Sequence, residues 1–157
     1  MPARAWTDPP EVVFGSRDGE FLSIAVLQRP YADRSSVSDT TYDWDADWVR
    51  CLVEAKLRGF RASFEAYLRT NDFPPFRDAL RTLWEKLQGA ATFTTLEGQV
   101  ALRVQGDGIG HMMVSGELED IAGTGNRLRF ALKLDQTHIA SSLRQLDELI
   151  DRFPDRR

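Results

Sequence analysis

From Trp48 to Leu68 apolar and polar residues alternate with a period of two, and just beyond, from Phe76 to Leu87, apolar residues return at three- and four-residue spacing. Successive side chains of a strand point to opposite faces, whereas a helix brings every third or fourth residue to one face. No single regular element satisfies both patterns. The chain must change from strand to helix near Asn71, and that change limits its fold classes.

In the alternating part, "WVRCLVEAKLRGFRASFEAYLR", Val49, Cys51, Val53, Ala55 and Leu57 form one apolar set and Phe60, Ala62, Phe64, Ala66 and Leu68 another. Arg58-Gly59 stands where a reversal is needed, so the segment reads as a hairpin with one buried face. Cys51 falls on that face and is expected to be a core thiol. Upstream, "EVVF" (Glu11 to Phe14) and "EFLSIAVLQ" (Glu20 to Gln28) read as two strands joined by the turn residues of "GSRDG".

The helical stripe of "NDFPPFRDALRTLWEKLQG" predicts a helix over 71–88, with Asn71 or Asp72 near its start and Gly89 past its end. "ATFTT", "GQVALRVQG", "IGHMMVSGELE" and "NRLRFALKLD" return to strand-like runs separated by glycine-rich turns. In "DQTHIASSLRQLDELIDRF", Ile139, Leu143, Leu146, Ile150 and Phe153 define a second helix over 136–153, with Asp135 or Thr137 as its cap. Hairpins grouped around one helix and closed by another predict a single α+β domain, an antiparallel sheet of hairpins with two helices packed on it. The 157 residues suffice for one core, and the sequence shows no internal repeat.

Composition narrows the function. A net charge of −4 does not provide the basic face that phosphate binding needs, and no apolar run is long enough for a bilayer, so neither nucleic acid nor membrane is an expected partner. The opening "MPARAWTDPPEVV" is not the apolar segment of a signal peptide, and Cys51 has no second cysteine to pair with. Both features predict a cytoplasmic protein.

From Pro30 to Asp47 the chain turns to Asp, Ser and Thr, with five aspartates against one arginine between Ala32 and Asp47. This predicts an acidic loop over 30–47, long enough to expect a functional role. Asp43, Asp45, Asp47 and Glu54 have the spacing of positions 1, 3, 5 and 12 of a calcium loop, but Trp48 occupies the position that needs glycine and a strand follows. No metal site is expected there. "GDGIGH" (Gly106 to His111) lacks the lysine and the following helix of a phosphate loop and reads as a hairpin connection. His111 and His138 have no metal-ligand spacing. Glu117, Glu119 and Asp120 read as solvated carboxylates at a strand end. No nucleophile, base and orienting group converge in the sequence, so neither catalysis nor a cofactor is expected.

The order "DW", a strand ending in "GF", a helix with "FRDALRTLWEKLQGAATFTTLEGQV", then "GDGIGH" and "NRLRFALKLDQTHI" resembles the WapI-like immunity family. The resemblance runs from Asp47 to Ile150 and rests most on "LEGQ" (Leu96 to Gln99), "GDGIGH" and "DQTHI" (Asp135 to Ile139). It does not extend over the first 40 residues. It implies a small bacterial protein that neutralises a toxin by binding it, with no active site to carry over. Tyr42, Asp43, Trp44, Asp45, Asp47 and Trp48 are then the expected contact: carboxylates for lysines and arginines of the toxin, and tryptophan as an anchor. The alternative is a structural or regulatory module, a homodimer joined through a sheet edge or helix face.

Overall fold

The structure, a computed structural model, describes residues 8–29 and 47–154. The α+β class is the one the chain adopts, but the eight strands among the described residues divide into two four-stranded antiparallel sheets rather than one. Sheet A is β1 (Glu11–Gly15), β2 (Phe21–Gln28), β3 (Trp48–Lys56) and β4 (Arg61–Arg69), in chain order. Helix α1 (Phe73–Lys86) follows. Sheet B is β5 (Gln88–Thr94), β6 (Val100–Asp107), β7 (His111–Glu119) and β8 (Arg127–Asp135), and α2 (Gln136–Arg152) ends the described chain. Four strands and a helix thus occur twice, without a repeat in sequence to announce it.

The two apolar sets of the alternating segment lie on one face, because Val49 pairs with Leu68, Cys51 with Ala66 and Val53 with Phe64. That face meets the inner face of sheet B and both helices in one core. Phe76 of α1 stacks between Phe14 of β1, at 6.1 Å, and Phe93 of β5, at 5.2 Å, so one aromatic joins both sheets to the helix. Burial of side chains of this size contributes about 2–3 kcal/mol each. Cys51 is fully buried, and desolvation pushes its thiol up to about 12.

Each helix lies along the first strand of a sheet: α1 along β5 and α2 along β1. On β1 the contact is polar. Ser142 Oγ donates to the Val13 carbonyl at 2.6 Å, and the Val13 N–H donates to Gln145 Oε1 at 2.8 Å. The helix thereby satisfies edge groups that would otherwise be buried unpaired.

Two helix ends differ from their sequence reading. Asp72 holds the N-cap position of α1 without a capping bond, because a 3-10 turn at Thr70–Asp72 leads into the helix. At the C-terminus the left-handed residue is Leu87, with φ 62°, rather than a glycine. Its carbonyl packs against Gly106, where a Cβ would clash, and accepts the Gly108 N–H at 2.8 Å. Contact with β6 therefore holds Leu87 in a conformation its side chain disfavours.

Candidate functional site

Of the six expected contact residues, Tyr42, Asp43, Trp44 and Asp45, with most of the acidic loop, lie outside the described residues. Asp47 and Trp48 lie within them and have separate roles. Trp48 opens β3 opposite Arg69 and is half-buried. Asp47 is 1% exposed, which corrects its expected place on the surface. Its Oδ1 accepts from Thr70 Oγ1 at 3.4 Å, and its Oδ2 lies 4.0 Å from an Arg69 guanidinium nitrogen. A buried carboxylate requires such partners, and here they tie the start of β3 to the turn between β4 and α1. Asp72 stands in that turn, and burial raises its pKa.

The motifs "GDGIGH" and "DQTHI" meet at one end of sheet B. Asp107 Oδ1 accepts the N–H groups of Ile109 and His111 at 2.9 and 3.1 Å, and its Oδ2 lies 2.8 Å from His111 Nδ1. Those bonds hold the Asp107 carboxyl below its usual range, the Ile109 N–H most of all. Gly108 and Gly110 take positive φ of 90° and 109°, as a tight reversal requires. The segment is the hairpin connection its composition predicts. Gln136 donates its N–H to the Gly110 carbonyl at 3.0 Å, and Asp135 caps α2 by accepting the His138 N–H at 3.0 Å. A groove of about 560 Å³ opens beside this turn, lined by Gln105, Asp107, His111, Met112, Met113 and Lys133 among others.

"LEGQ" has a different role, which sequence reasoning missed. Gln99, only 4% exposed, accepts the Tyr67 N–H of sheet A through Oε1 at 3.3 Å. Its Nε2 lies 3.3 Å from the carbonyls of Glu119, which ends β7 of sheet B, and of Asp120 just beyond it. One side chain therefore joins the two sheets. The acidic cluster beside it is engaged: Arg127 holds Glu119 at 2.9 Å, Arg129 holds Glu117 at 3.2 Å, and Asn126 holds Asp120. Glu119 is buried rather than solvated, a correction to its sequence reading. Among the described residues no group of three or more His, Cys, Asp or Glu side chains is placed to hold a metal ion. No described helix is long and apolar enough to cross a membrane.

Two packed sheets whose motif residues close turns and join strands define a small α+β protein with broad solvent-facing sheet surfaces. Residues 13–154 match the model of the Immunity protein WapI-like family, and the chain belongs to that family. The match takes in the N-terminal hairpin, which the motif resemblance left out. No curated protein matches. Among solved structures the chain is similar to one titled "Crystal structures of trypanosoma bruciei MRP1/MRP2", at 10% identity and a TM-score of 0.49, over 95% of this chain and 88% of that one.

Proposed function

We propose that this protein neutralises a cognate bacterial toxin in the cytoplasm by binding it, without catalysing a reaction. Membership of the WapI-like immunity family across residues 13–154 carries this reading. The sequence from Tyr42 to Trp48 is the proposed contact, with Asp43 and Asp45 as the carboxylates offered to a basic toxin and Tyr42, Trp44 and Trp48 as apolar anchors. Asp47 serves it from inside, holding the start of β3 to Arg69 and Thr70.

Electrostatic steering of this kind speeds association more than it deepens affinity, and it weakens with salt. The double variant D43N/D45N, with Asp47 intact, is expected to lower the association rate for the toxin about tenfold at low ionic strength and to flatten its salt dependence. Unchanged kinetics would move the contact away from this segment.

A further inference from the structure

Two four-stranded sheets have four outer strands, and among the described residues three of them are guarded. α2 covers β1 through Ser142 and Gln145, and α1 lies along β5. On β8 the bond from Gln136 to Gly110 fixes the hydrogen-bonding phase, so that Arg127, Arg129, Ala131 and Lys133 direct their backbone groups away from β7. An antiparallel copy centred on Ala131 would set Arg129 against Lys133, cation on cation. Such charge is a common guard of an exposed edge.

β4 is the fourth. The Leu57 N–H donates to the Phe60 carbonyl at 2.8 Å, so alternation along the ladder turns the N–H and C=O groups of Arg61, Ser63 and Glu65 away from β3. The Tyr67 N–H points the same way and is taken by Gln99, which ends the open segment there. Phe60, at its start, is 65% exposed. A groove of about 310 Å³ runs beside this edge, between Phe60–Phe64 and the residues Leu118, Asp120 and Asn126–Leu128.

We infer that the β4 edge pairs antiparallel with the β4 edge of a second copy of this chain, centred on Ser63. The segment Arg61-Ala-Ser-Phe-Glu65 is complementary to its own reverse. In that register Arg61 of each copy faces Glu65 of the other, Ser63 faces Ser63, and all three are residues whose backbone groups point outward. Centring on Ala62 or Phe64 instead loses both Arg61–Glu65 pairs, and centring on Arg61 or Glu65 sets like charges opposite, so charge favours the register centred on Ser63. On the opposite face the half-buried Phe64 meets Ala62 of the second copy. Glu65 already accepts from Arg50 at 2.7 Å and is half-exposed, which leaves its carboxylate able to take a second cation, whereas Arg61 has no acidic partner among the described residues.

Sedimentation equilibrium of the full chain tests this with two variants. Wild type is expected to be dimeric, and R61E or E65R alone to raise the dimer dissociation constant about tenfold or more, because each turns both cross-copy pairs into repulsions. An equimolar mixture of R61E and E65R restores both attractions and is expected to recover the dimer as a heterodimer. Circular dichroism of each variant separates loss of association from loss of fold. A wild type that stays monomeric at its highest soluble concentration would overturn the proposal, as would a mixture no more associated than its components. If instead the wild type is monomeric and R61E weakens toxin binding, the edge belongs to the toxin and the dimer is rejected.

Discussion

The Tyr67 N–H of sheet A donates to the side-chain oxygen of Gln99, in the turn that enters β6 of sheet B, at 3.3 Å, so a single glutamine closes the edge of one sheet from a turn of the other. The same side chain reaches the carbonyls of Glu119 and Asp120 through its nitrogen. Gln99→Leu fills a similar volume but leaves these buried groups without partners. It is expected to cost about 2 kcal/mol in urea unfolding and to speed amide exchange at Tyr67 before the core strands.

The α2 contact with β1 is a second seam of the same kind. Ser142 is fully buried, and its hydroxyl donates to the Val13 carbonyl. Ser142→Ala removes the donor and strands that acceptor, at an expected cost of about 1–2 kcal/mol, measured by denaturant unfolding.

Asp72 and the turn aspartates respond to acid in opposite ways. Burial raises the folded pKa of Asp72, so the native state binds its proton more tightly than the unfolded chain does. Stability from this group is complete below the ordinary value of about 3.9 and is lost as pH rises through the raised folded value. Asp72→Asn is therefore expected to match or exceed wild type in unfolding free energy at pH 7. That difference should vanish below the ordinary carboxyl range.

Asp107, Asp120 and Asp135 carry the reverse sign. The Ile109 N–H, the Asn126 side chain and the His138 N–H are the leading causes that lower them. Their stabilisation is present above about pH 3.9 and is lost as pH falls through their depressed folded values. Unfolding followed from pH 5 to pH 2 is expected to show a shallower acid loss in D107N and D135N than in wild type.

Much of the architecture is legible in the sequence, because period-two and period-3.6 patterns set strands and helices locally. The hairpin turn at Arg58-Gly59 and the buried Cys51 follow from that logic, and of the two caps it offers for α2, Asp135 and Thr137, the structure uses Asp135. The division into two sheets does not follow from it, since strand order depends on contacts between residues far apart in sequence. Asp47 looked like the last residue of a solvated loop, yet it is buried because Arg69 and Thr70, more than twenty positions on, supply its partners. Gln99 gave no signal for the same reason: a polar residue in a turn reads as solvated until a second sheet is placed beside it.

The most direct measurement is inhibition of a toxin by the purified chain. The tagged protein would be expressed in its native host, the co-purifying effector identified at low and high salt, and the activity of its C-terminal domain titrated with the chain. The expected result is release of the complex by high salt and loss of toxin activity at a molar ratio of one binding site per toxin. Full toxin activity in the presence of excess folded chain would contradict the immunity role.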